Sequence, residues 1–132
     1  MTARNFEPGT TGYLMAPQLS PDGGRVAYSR SESDGRGGLT ASRKVWISSL
    51  AGGSPMRLTE SSFSETAGAW SPDGNWYVYT EAPSGEPIRL KKAPTSGRSE
   101  PVTLVPAAGP SRILPVWSPD GRWTAGPPCE FR

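Results

Sequence analysis

Ser20-Pro21-Asp22-Gly23 recurs as Ser71-Pro72-Asp73-Gly74 and again as Ser118-Pro119-Asp120-Gly121, 51 and 47 residues apart. An apolar residue precedes each copy: Leu19, Trp70 and Trp117. A strand-like run follows each: Arg25-Val26-Ala27-Tyr28, Trp76-Tyr77-Val78-Tyr79 and Arg122-Trp123-Thr124-Ala125. Pro presets φ for the second position of a type I turn. Asp can bond back to the backbone of its own turn. Gly adopts the left-handed conformation that closes a short hairpin. Each copy therefore predicts a tight turn between two antiparallel strands.

A second landmark repeats downstream. Gly52-Gly53-Ser54-Pro55-Met56-Arg57-Leu58 corresponds to Ser96-Gly97-Arg98-Ser99-Glu100-Pro101-Val102-Thr103-Leu104. The first repeat is longer, and the excess fits within residues 31–43. That stretch is polar and Gly-rich, the composition of a loop that tolerates length variation. The first repeat is predicted to hold strands at 17–19, 25–30, 44–48 and 56–59. The second holds them at 69–70, 76–80, 88–92 and 102–105. A third begins at 116–117 and 122–125 and then stops. No helix is expected, because every candidate window is interrupted by Pro or Gly. Trp76-Tyr77-Val78-Tyr79 is apolar on both faces, as in a strand covered from both sides. Val45-Trp46-Ile47 follows the same rule.

Four strands per repeat of about 40–50 residues is the pattern of a β-propeller blade. The predicted fold class is all-β, with four-stranded antiparallel blades in an incomplete, open propeller. The expected division is an N-terminal extension (1–16), blade 1 (17–59), a linker (60–67), blade 2 (68–105), a partial blade 3 (106–126) and an irregular tail (127–132). The tail, with Pro127-Pro128, has no blade character. The pattern reads as a piece of a larger propeller. Open blade faces and edges are expected to invite self-association, with Trp46, Trp76 and Tyr79 covered on one side and partly wet on the other.

Composition agrees with a turn-rich β protein. The 132 residues include 16 Gly and 15 Pro but are only 34% hydrophobic, which leaves little surplus burial. The net charge is +2 and the basic residues are scattered, which argues against a nucleic-acid partner. No run approaches the ~20 apolar residues of a membrane helix, so direct membrane insertion is not expected. Met1-Thr2-Ala3-Arg4-Asn5-Phe6-Glu7-Pro8 does not read as a signal peptide, and as written the chain would not be exported.

The chemistry-bearing residues point away from catalysis. The chain has no His and a single Cys, so neither a Ser-His-Asp triad nor a Cys-His pair can be assembled within it. No metal-ligand spacing is present, and no metal or other cofactor is expected. Gly35-Arg36-Gly37-Gly38 lacks the Lys-Ser/Thr of a phosphate loop and reads as a flexible loop. Asp22, Asp73 and Asp120 could line a rim and bind a cation, but capping their own turns is the reading preferred here. Glu60, Glu65 and Glu81 are expected on the solvated surface. Tyr28, Trp46, Trp70, Trp76, Tyr79 and Trp117 recur at strand positions and are expected in the core rather than at a ligand. Cys129 lacks an activating neighbourhood and is read as incidental.

The residues resemble the WD40-like blades of TolB-type propellers. The resemblance runs in order through Leu19-Ser20-Pro21-Asp22-Gly23, Val26-Ala27-Tyr28, Val45-Trp46-Ile47, Gly52-Gly53-Ser54-Pro55 and Arg57-Leu58-Thr59. The chain departs from the pattern at Ser96-Gly97, where Gly-Gly is usual, and at Thr124-Ala125-Gly126, where an aliphatic-Ala-aromatic strand is usual. The resemblance implies a non-catalytic module for protein–protein interaction or scaffolding, with a parent in the periplasm or cell envelope. Similar blades occur in the propellers of prolyl-oligopeptidase-like serine peptidases and as sensor propellers of bacterial serine/threonine kinases. The flanks discriminate: a nucleophile elbow downstream for a peptidase, a Gly-rich loop upstream for a kinase, a signal peptide for a TolB-like protein. Residues 31–43 are the expected variable contact surface.

Overall fold

The computed structural model describes residues 14–33, 35–36, 38–97, 100–106, 115–126 and 129–131, all of them in strands, turns or irregular connections. Strands β1 (Leu14–Leu19), β2 (Arg25–Ser33), β3 (Leu39–Ser49) and β4 (Met56–Arg57) form one four-stranded sheet in sequential order. Strands β5 (Ser64–Trp70), β6 (Trp76–Ala82), β7 (Arg89–Pro94) and β8 (Val102–Val105) form a second of the same order. A third sheet of three strands comprises β9 (Val116–Trp117), β10 (Thr124–Gly126) and β11 (Cys129–Phe131). Every pairing is antiparallel. These are the two blades and the partial third that the repeat predicts. The first strands neighbour one another in succession, β1 beside β5 and β5 beside β9.

The three Ser-Pro-Asp-Gly turns are built alike. In each, the Gly N–H donates to the Ser carbonyl at 2.8–2.9 Å. The Ser hydroxyl donates to the Asp carboxylate at 2.5, 2.7 and 2.6 Å. The same Ser oxygen accepts the backbone N–H of Arg25, Trp76 and Trp123. The Asp oxygen accepts that of Gly24, Asn75 and Arg122. Gly23, Gly74 and Gly121 have φ of +71°, +75° and +73°, where a Cβ is strained. This hydrogen-bond register corrects the alignment of the third repeat. Trp123, rather than Arg122, is the counterpart of Arg25 and Trp76, and the strand that follows is Thr124–Gly126.

Four boundaries move. β1 starts at Leu14 and β5 at Ser64, inside the expected extension and linker, because each strand continues through a β-bulge. The pairing register shifts between Met15 and Gln18 in β1, and between Thr66 and Ala69 in β5. A bulge tolerates a residue such as Pro17 that would interrupt a regular ladder. The expected loop 31–43 is mostly strand: Ser31 pairs with Arg43 and Ser33 with Leu39. A two-stranded ribbon satisfies its backbone without an apolar face, so its polar composition did not forbid pairing. The expected irregular tail holds β11, whose Phe131 and Glu130 pair with Thr124 and Ala125. Pro127, Pro128, Gly37 and residues 98–99 lie outside the described residues.

The core lies between the first two blades. Ala27, Val45, Ile47 and Leu58 of blade 1 pack against Trp70, Tyr77, Tyr79 and Ala93 of blade 2. β6 is buried from Tyr77 through Glu81, so both of its faces are covered. Trp46 and Trp76 are half-buried as expected, beneath Arg30 at 4.1 Å and Lys92 at 4.6 Å respectively. Tyr79, in contrast, is fully covered, and Val26 and Tyr28 on the other face of blade 1 are buried too. Among the described residues, Leu19, Phe63, Val102, Val116 and Trp123 are the large apolar residues that remain exposed.

Candidate functional site

The antiparallel meander gives the blades two ends. One carries the Ser-Pro-Asp-Gly turns and the β7–β8 turn; the other carries the β2–β3 ribbon and the connection from β4 to β5.

At the turn end, Arg25 spans the joint between blades. Its guanidinium donates to Gly74 O at 2.9 Å and to Thr95 O at 3.4 Å, and stacks over the Trp70 ring at 4.8 Å. Thr95 Oγ1 donates to the same Gly74 carbonyl at 2.6 Å. Deeper in the joint, the Trp70 indole N–H donates to Gln18 O at 3.0 Å. Tyr77 OH donates to Gln18 Oε1 at 3.2 Å and accepts the Gly68 N–H at 2.8 Å. Trp70 and Tyr77 meet edge to face, with centroids 5.6 Å apart. The next joint reuses the main contact, since the Trp117 indole donates to Ala69 O at 3.1 Å. Trp70 thus serves the core role assigned to it, whereas Trp117 is half-buried; each places its polar N–H on the preceding blade.

Above this pinned joint lies an open cleft of about 550 Å³. Arg25 forms its blade 1 side. Trp76, Pro94, Thr95, Ser96 and Glu100 form its blade 2 side. Ser96 and Glu100 are exposed.

The opposite end holds a buried charged group that corrects the surface placement of Glu65 and Glu81. Both carboxylates are buried, whereas Glu60 is exposed as expected. Glu65 reaches from blade 2 into blade 1, accepting the Val45 N–H at 3.1 Å and the Thr59 hydroxyl. Burial raises its pKa, and these two hydrogen bonds oppose the rise. Glu81 accepts from Ser61 Oγ at 2.8 Å and pairs with Arg89 and Lys91 at 3.3 and 3.4 Å. The buried Lys44 donates to Ser61 O at 2.6 Å and to Phe63 O; burial lowers its pKa. The Tyr79 hydroxyl is buried without a hydrogen bond of ordinary geometry. Its pKa is raised by burial first and then by the Glu65 and Glu81 charges. These buried hydrogen bonds and ion pairs fasten the 58–63 connection across the joint. Sequence reasoning missed them because isolated Glu and Lys are ordinarily surface residues; only tertiary contacts bury them.

Asp22, Asp73 and Asp120 each cap their own turn, and each pKa is lowered, first by the Ser hydroxyl of the motif and then by the backbone N–H two residues on. Among the described residues no group of three or more His, Cys, Asp or Glu could hold a metal ion. Arg25 was also missed. Its signal was present in the repeat, because it stands where the other two copies place Trp76 and Trp123.

No family model matches the chain. It is 32% identical over 106 residues to the uncharacterized peptidase YuxL of Bacillus subtilis (strain 168), a match that covers 80% of this chain and 16% of that protein. Among solved structures it is similar to TolB from Acinetobacter baumannii, with a TM-score of 0.69, 21% identity and coverage of 89% of this chain and 27% of that one. The chain therefore spans about a sixth of the curated relative and about a quarter of the solved one. The fold is that of TolB-type β-propeller blades.

Proposed function

We propose that these blades form a non-catalytic protein-interaction module, with the turn end of the joint between blades 1 and 2 as its contact surface. The observation that carries this reading is the cleft above Arg25. It joins two blades, opens to solvent, and sits on a joint held by hydrogen bonds from the Arg25 guanidinium to two main-chain carbonyls, so its shape is set before a partner arrives. A propeller binds through its faces while its sheets supply rigidity, and fold alone does not assign chemistry. The test is site-specific photo-crosslinking in cells that express the chain. A crosslinker at Ser96 should capture a discrete protein partner, while one at Arg36 on the β2–β3 ribbon should capture less. Capture at Arg36 alone would move the contact surface to the ribbon. The purified chain should hydrolyse no peptide, ester or nucleotide.

A second reading is favoured by the match to the YuxL peptidase. On that reading the blades are the propeller portion of a serine peptidase and control access to a separate hydrolase domain. It is tested by reading the encoding frame beyond both ends for a nucleophile elbow.

A further inference from the structure

We propose that the cleft binds an extended peptide segment carrying a carboxylate for Arg25, an apolar side chain for Trp76 and Pro94, and a cationic side chain for Glu100. The proposal rests on the interaction-module reading and names the chemistry of its partner. Three features carry it.

The first is Arg25. Its backbone position in the turn is the one that Trp76 and Trp123 occupy in the other repeats. Among the three copies, this one alone therefore places a cation at that turn position. A guanidinium has five N–H donors. Two carbonyls hold one side of this one, which leaves donors for an incoming carboxylate and little side-chain entropy to lose on binding. The second is the indole of Trp76, half-buried beside Pro94 with Lys92 4.6 Å from its ring centre, which offers its remaining surface as an apolar wall. The third is Glu100, exposed on the lip and without an ion pair among the described residues. A cation on the blade 1 side, an apolar wall and the Glu100 carboxylate complement an acidic-apolar-basic order along one strand of peptide. The cleft volume of about 550 Å³ lies within the range of small-ligand sites and takes a few residues of chain. The hydroxyl of Ser96 is available to its main chain.

The test uses the full chain and two tetrapeptides of opposite order, Asp-Leu-Gly-Lys and Lys-Gly-Leu-Asp, end-capped and fluorescein-labelled. Amide NMR of the ¹⁵N-labelled chain locates the contact. One order should bind saturably and shift the amides of Arg25, Trp76 and Glu100. The uncharged Asn-Leu-Gly-Gln should bind at least about threefold more weakly, the scale of an exposed ion pair. Glu100→Lys, an exposed substitution that leaves Arg25 and the joint intact, should weaken the Lys-bearing peptide about three- to fivefold and favour Asp-Leu-Gly-Glu instead. Equal binding of charged and uncharged peptides overturns the proposal, as does the absence of saturable shifts or of the swapped preference. A partner crosslinked at Ser96 whose capture is indifferent to Glu100→Lys would also end this proposal while leaving the interaction-module reading in place.

Discussion

Replacing Trp70 by Phe isolates the polar part of the blade joint, because Phe retains a large ring but loses the indole N–H. The wild-type ring is almost fully buried at 9% exposure. It donates to Gln18 O, lies beneath Arg25 and meets Tyr77 edge to face. The lost hydrogen bond is worth about 1 kcal/mol net. A phenyl holds a cation less well than an indole, which removes roughly another 0.5 kcal/mol. The space left by the smaller ring adds about 1 kcal/mol, well short of the 3–5 for full truncation of a buried aromatic. The total is about 2–3 kcal/mol. At a urea dependence of about 1–3 kcal/mol per molar, the unfolding midpoint should fall by roughly 1 M. Urea titration followed by far-UV circular dichroism measures it. Trp46→Phe is the control: that ring is half-buried and bears Arg30 on one face, so its loss should cost under about 1 kcal/mol. Equal midpoint shifts for the two variants would refute the claim that the Trp70 hydrogen bond and its stacked cation hold the blades together.

Further outcomes follow from the same contacts. Gly74→Ala should destabilise the chain by about 1–2 kcal/mol because Gly74 sits at φ +75°; a change below a few tenths of a kcal/mol in the same titration would contradict the turn. The pKa of Glu65 is raised by burial, so its contribution to stability is fully present below its ordinary value of 4.5 and is lost as pH rises through the higher folded value. Glu65→Gln should remove that decline, and parallel pH–stability curves for the two proteins would show that Glu65 does not titrate as its burial requires. With Leu19, Val116 and Trp123 exposed, and Val102 exposed on the edge strand β8, the isolated chain should elute above its monomer mass in size-exclusion chromatography with light scattering. A sharp monomer peak that unfolds cooperatively at high temperature would refute that.

The sequence by itself determined the blades. A tight turn is a local object, and Ser-Pro-Asp-Gly contains its whole chemistry: the fixed φ, the capping carboxylate and the left-handed Gly lie within four residues. Three copies at blade spacing therefore placed the hairpins, and the apolar runs after them placed the buried strands β2 and β6. What the local pattern could not place was any pairing that depends on a distant partner. The polar ribbon of β2 and β3, the bulged starts of β1 and β5, and β11 are held by backbone ladders whose partners carry no compositional mark. The joint was also a tertiary decision. Glu65 and Glu81 read as surface residues until blade 1 closes over them, because burying a carboxylate requires donors such as Val45 N–H and Ser61 Oγ to arrive from elsewhere in the chain. Arg25 stands between the two cases. Counted from its motif it is the copy that differs, but the turn hydrogen bonds were needed to align it with Trp76 and Trp123, and only the packing of blade 1 on blade 2 showed that its guanidinium bridges to Gly74 and Thr95 and forms one side of a cleft.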